Sequence, residues 1–179
     1  MKTTRSASVV LALFGVIVLC AGSNAWAQKK YTISEAPSSN SKYLQEHILD
    51  AGDVPGHQVR IYEIRFDYPK KDLAFAGVPV TYSMTHGMSD YTNWSGSFIT
   101  YGVYTLEDGN KVFSRSTGAT QSTTNADGTR AFKYSFIENF LGGTGPFKGI
   151  RGQMRGSGER APGANSLTQQ SNGEYWIEE

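Results

Sequence analysis

Leu141-Gly142-Gly143-Thr144-Gly145-Pro146-Phe147-Lys148-Gly149-Ile150-Arg151-Gly152 sets five glycines around one phenylalanine. Glycine takes positive φ without steric cost, and Pro146 presets a corner. Phe147 and Ile150 supply apolar groups that tie the loop to a core, so the run reads as a tight β-turn and the strand that leaves it. A phosphate-binding loop does not fit, because Lys148 precedes Gly149 where the Walker pattern needs Gly-Lys-Ser/Thr. Gly143-Thr144-Gly145 is likewise too short for the dinucleotide fingerprint, which opens a helix.

On either side of this run the chain is strand-like. Val59-Arg60-Ile61-Tyr62-Glu63-Ile64-Arg65-Phe66 alternates, with Tyr62, Ile64 and Phe66 on one face and Ile61, Glu63 and Arg65 on the other. Residues 78–85, 97–106, 111–122, 129–140, 149–155 and 173–177 repeat the β-branched and aromatic theme. Turn signals such as Asp108-Gly109-Asn110 and Asn125-Ala126-Asp127-Gly128 separate them. Long strands, short hairpins and no helical period predict an all-β fold with an antiparallel sheet. A small closed antiparallel β-barrel of about eight strands is the arrangement that leaves no open edge, with glycines 102, 118, 142, 143 and 152 as kinks. A two-sheet sandwich is the competing architecture, and no repeat at a fixed period suggests a propeller or solenoid.

Toward the N-terminus the character changes. Residues 1–27 read as a secretory signal peptide: Lys2 and Arg5, an apolar run from Val9 to Ala21, then Ala25-Trp26-Ala27 as a cleavage pattern. The apolar run is shorter than the ~20 residues of a membrane span, so no stable anchor is expected after cleavage. A secreted or periplasmic protein follows. Residues 28–53 are polar and read as a flexible N-terminal arm with a short turn of helix at 42–49, which leaves 54–179 as the barrel domain.

Cys20 is the only cysteine and lies within the signal, so the mature chain has no disulfide, zinc-thiolate site or cysteine nucleophile. A chain of ~150 residues buries about 68–70% of its unfolded surface and can hold itself without staples. The formal charge falls from +1 to −1 once Lys2 and Arg5 are removed, which gives no reason to expect nucleic acid as a partner. His47, His57 and His86 are scattered without metal spacing, and no Gly-x-Ser-x-Gly elbow is present. Neither a metal nor a cofactor is expected. Asn93-Trp94-Ser95 matches a glycosylation acceptor.

Three stretches resemble the allene oxide cyclase barrel family, which is related in fold to the plant dirigent proteins. Ile61-Tyr62-Glu63-Ile64 is similar to that family's opening strand, and Gly142-Gly143-Thr144-Gly145 with Phe147, Gly149 and Gly152 to its late glycine-rich turn. Tyr91-Thr92-Asn93 is a weaker echo of Phe-Thr-Asn. The likeness spans about residues 57–155. It implies an eight-stranded barrel with a hydrophobic cavity, often a homotrimer, and a cofactor-free cyclase or isomerase acting on a small hydrophobic unsaturated molecule. It also implies Glu63 within the cavity, Arg65 where the cyclases carry asparagine, and Tyr104 near their cysteine. Tyr91, Asn93 and Tyr104 become substrate contacts. The proline that holds a cavity water in the cyclases has no match, since Pro69 comes too early.

Glu63 and Arg65 share a face, so both enter the cavity or both stay out. Inside, they form a buried pair suited to acid–base work and oxyanion binding; outside, a solvated contact worth ~0–1 kcal/mol. The apolar character of Tyr62, Ile64 and Phe66 favours the outward reading and the resemblance the inward one. Tyr101 and Tyr104 must face opposite ways, and Tyr104, sharing a face with Phe98 and Gly102, is the cavity candidate. Arg115 and Glu138 are read as external charges. Two alternatives stand beside catalysis: a lipocalin-like barrel that binds an apolar ligand, and a structural barrel filled by its own side chains.

Overall fold

The computed structural model describes residues 29–38, 40–161, 164 and 166–178, with the side chains of 36–38 excepted. The expected signal peptide lies outside the described residues. Ten strands form one antiparallel sheet: β1 (Lys30–Ser38), β2 (Ser41–Asp50), β3 (His57–Asp67), β4 (Ala74–Phe75), β5 (Val78–Thr92), β6 (Ser95–Leu106), β7 (Lys111–Thr124), β8 (Arg130–Gly143), β9 (Ile150–Arg160) and β10 (Thr168–Ile177). Their order is β1-β10-β9-β8-β7-β6-β5-β3-β2, with β4 paired to β5 off this path. The all-β antiparallel expectation holds, but the sheet is not closed.

The expected closed barrel of about eight strands is corrected at its seam. β1 and β2 are the two edges of the sheet and no ladder joins them among the described residues. Near the seam the Leu167 N–H, just before β10, donates to Ser41 Oγ at the start of β2 at 2.7 Å. The Asp67 N–H, at the end of β3, donates to Asn40 O at 3.0 Å and extends the β2–β3 ladder by one pair. The stretch read as an arm with a turn of helix contains β1 and β2. Lys42 to Leu49 is strand, because Tyr43 and Glu46 pair with Ile64 and Tyr62 of β3 in a ladder that supplies the backbone bonds a helix would otherwise provide.

The interior has a plugged end and a hollow end. After β3, Tyr68 and Leu73 turn inward and β4 carries Phe75 into the centre of the core, where it is 0% exposed. Its ring lies 5.4–6.4 Å from those of Phe140, Tyr104, Tyr175 and Phe147, mostly tilted or edge-on, the geometry aromatic quadrupoles prefer. The Tyr175 hydroxyl accepts from the Ala76 N–H at 2.5 Å and fixes the loop that delivers the plug. Leu106, Val112 and Ile150 complete the seal.

The glycine-rich run closes this end as expected of a turn. β8 stops at Gly143, a short 3-10 turn covers Gly145–Phe147, and Phe147 and Ile150 are buried. Gly142 has φ 152° where Leu141 bulges out of the β7–β8 register, so its role as a kink stands. Gly118 does not kink its strand; it leaves room for a neighbouring ring.

Candidate functional site

At the hollow end, β5, β6 and β7 present small or hydroxyl-bearing residues to the inside: Ser83, Thr85, Gly87 and Ser89, then Thr100 and Gly102, then Ser114, Ser116, Gly118 and Thr120. Opposite them stand aromatic residues of β3 and β8. Small residues on three consecutive strands leave the space that the rings across it do not fill, a cavity of about 120 Å³. The rings lie flat against the wall because the adjacent strand carries glycine there. A Cβ at Gly87, Gly118 or Gly156 would sit 2.1–2.4 Å from an atom of Tyr62, Phe98 or Phe136 respectively. Tyr134 and Phe136 stack at 6.3 Å, and Trp94 meets Phe132 at the mouth.

One carboxyl faces this space. Glu138, on β8 between Phe136 and Phe140, is 5% exposed, and the Tyr104 hydroxyl donates to its Oε1 at 2.8 Å. Burial pushes the Glu138 carboxyl up to about 7, against the opposing pull of the Ser114, Tyr104 and Ser116 hydroxyls. The Tyr104 phenol is driven well above its ordinary range by burial and by the neighbouring carboxyl. Behind the wall, Glu35 of β1 accepts from Ser171 Oγ at 2.9 Å and Gln169 Nε2 at 3.1 Å, and burial raises it too. The charge of Glu35 in turn makes Glu138 harder to ionise.

The residues expected from the sequence separate into two groups. Tyr104 and Tyr91 are buried and line the cavity, Tyr91 with its hydroxyl 2.8 Å from Thr120 Oγ1. Asn93 does not. It occupies the β5–β6 turn with φ 50° and is exposed, and its N–H donates to Gly56 O at 2.9 Å.

Glu63 and Arg65 lie on the outer face, which corrects the inward reading. Glu63 stands 3.8 Å from His86, while Arg65 binds Asp67 at 2.8 Å and covers the Tyr82 ring at 4.0 Å. The reason is the alternation of β3: burying Tyr62, Ile64 and Phe66 forces the two charges outward. Tyr101 is also outside, as its parity demands, and Arg115 is exposed as expected. Glu138, read as external, is inside.

The signal that locates Glu138 is in the sequence. Tyr134, Phe136, Glu138 and Phe140 share one face of β8, so the carboxylate rides on an aromatic stripe. Arg60 and Arg160, which also line the cavity, have no such marker. Among the described residues no three His, Cys, Asp or Glu side chains come together to hold a metal, and no helix is long and apolar enough to cross a membrane. No family model matches the chain, nor does any curated protein or solved structure.

Proposed function

We propose that this is an exported protein that holds a small, hydrophobic, unsaturated molecule in its cavity and isomerises or cyclises it without a cofactor, with Glu138 as the acid–base group. The observation that carries this reading is the Glu138–Tyr104 pair: a carboxyl that changes protonation near neutrality, held by one phenol donor and facing a ring-lined space. Its proton chemistry balances internally. The Glu138 carboxylate takes a proton from an activated carbon of the bound molecule, the double bond moves, and the same carboxyl returns the proton to another carbon. Tyr104 donates to the carboxylate in its charged form and steadies it. The flat rings confine the substrate, so much of the rate would come from orientation.

The likeness to the allene oxide cyclase barrels supports the reaction class, with Glu138 in place of the externally placed Glu63. A homotrimer, which the likeness also implies, has an outer row available to it: Ile61, Met88 and Ile99 are neighbours across β3, β5 and β6, and Ile137 of β8 follows in the same register beyond Thr117 of β7. The second reading is ligand binding without turnover, since a cavity of about 120 Å³ leaves little room for a reacting chain; a volume below the ~300 Å³ usual for drug-sized ligands also favours the structural barrel filled by its own side chains.

Native mass spectrometry of the purified protein, with identification of any co-purifying molecule, nominates a substrate. Glu138→Gln should then abolish its turnover while retaining its binding. Unchanged turnover in that variant removes Glu138 from the mechanism, and binding without turnover in the native protein selects the second reading.

A further inference from the structure

The mouth of the cavity holds a cation that proton transfer at Glu138 does not use. Arg60, on β3, is 6% exposed. Its guanidinium lies 4.5 Å from the Trp94 ring centroid and 5.7 Å from that of Tyr91, and its Nη2 is paired with Glu46 of β2. Its Nε has no hydrogen-bond partner. A buried guanidinium N–H without an acceptor is costly, and the aromatic contacts hold the group in place so that it cannot rotate toward one. Arg160 lines the same cavity, half-buried, with its Nε on Ala164 O at 2.8 Å and its guanidinium 5.7 Å from the Phe132 ring centroid. Arg60 is paired with Glu46, while Arg160 has no carboxylate partner among the described residues, so one guanidinium at the cavity lining is left without an ion pair.

In the sheet, β5, β6 and β7 separate β3 from β8. Arg60 and Glu138 therefore approach the cavity from different walls, with flat rings between them. A molecule lying in this space meets a cation with a spare donor at one end and a hydrogen-bonding carboxyl at the other. A phosphate, with more charge to balance and a larger head, fits one spare N–H and one net charge less well than a carboxylate does. The modest volume admits about one ring; an engineered apolar cavity of ~150 Å³ takes benzene.

We infer that the cavity takes a single-ring, monoanionic carboxylic acid, its carboxylate drawn to the Arg60 guanidinium at the mouth and a hydroxyl or carbonyl on the far side of the ring facing Glu138. This rests on the reading that the cavity binds a ligand.

Titration calorimetry with 4-hydroxybenzoate, its neutral isostere 4-hydroxybenzamide, and p-cresol separates the two claims. The native protein should bind the carboxylate at least tenfold more tightly than the amide. Arg60→Gln should erase that preference while leaving amide and p-cresol affinities within about twofold, which also reports an intact cavity. Arg60→Lys, which keeps the charge but loses the planar donor, should retain part of it. Equal affinities for acid and amide in the native protein, or a preference that survives Arg60→Gln, overturns the carboxylate assignment and leaves the cavity reading intact. Failure of all three compounds to bind overturns both.

Discussion

The plugged and hollow ends of the interior are furnished by the same strands with opposite side chains. β6 gives Leu106 to one end and Thr100 to the other; β7 gives Val112 and then Ser116, Gly118 and Thr120. At the plugged end the loop after β3 adds Leu73 and Phe75, and nothing is left open. At the hollow end the loop residues Trp94 and Leu167 line the cavity without filling it, and hydroxyls and glycines face the rings across a gap. The backbone of this sheet decides neither outcome. Side-chain volume along each strand does, and it separates what stabilises the protein from what gives it a site.

The sharpest break of this comparison is a matched pair of truncations. Phe75→Ala should cost about 3–5 kcal/mol, the range for removing a fully buried ring, whereas Phe98→Ala at the hollow end should cost less than half as much. Denaturant titration of both variants reads the difference, and equal losses would mean that the two ends are packed alike.

The next test concerns charge. Glu138 is raised to about 7 in the folded protein from about 4.5 in the unfolded chain. Between those values the unfolded chain has released the proton that the folded protein retains, so stability falls as pH rises from about 4.5 to 7 and then levels. The full loss is on the order of 3 kcal/mol. Glu35 acts in the same direction. Glu138→Gln should flatten that part of the pH–stability curve, and an unchanged curve would mean that the carboxyl is not buried as described.

The smallest effect lies at the surface. His57 bridges Asp53 at 2.5 Å and Asp90 at 2.8 Å, and these hydrogen bonds raise it above its ordinary 6.5. Its contribution is complete below pH 6.5 and disappears as pH climbs through the raised value. Following its ring protons by NMR should give a midpoint above 6.5, and Asp90→Asn should bring it down. A midpoint at or below 6.5 in the native protein would remove the bridge.

Much of this architecture could be read in advance where one face of a strand is buried. The alternation of Tyr62, Ile64 and Phe66, the parity of Tyr101 and Tyr104, and the apolar pair Phe147 and Ile150 in the glycine run all report a sided environment. β2 could not be read this way. It is an edge strand exposed from Leu44 to Asp50, so no face selects apolar residues and its sequence resembles a loop. For Glu63 the family likeness points inward and the alternation of its own strand points outward, and the alternation decides. For Glu138 the charge alone suggests water, but the aromatic residues two positions either side share its face and carry it inside. Arg60 is unreadable, since the Trp94 and Glu46 that hold it come from the β5–β6 turn and from β2.

The arrangement of the sheet also imposes an order of assembly. From β5 to β10 each strand pairs with its successor, contacts that form locally and fast. Among the described residues β1 has only β10 as its partner, with Tyr31 beside Tyr175. β1, made before the other described strands, therefore waits for β10, and until β10 appears one side of the interior stays uncovered. Completion of the core that Ile33 and Tyr31 join is thus a late event in the life of each molecule, and a nascent chain cut short before Thr168 would have no surface on which to lay β1.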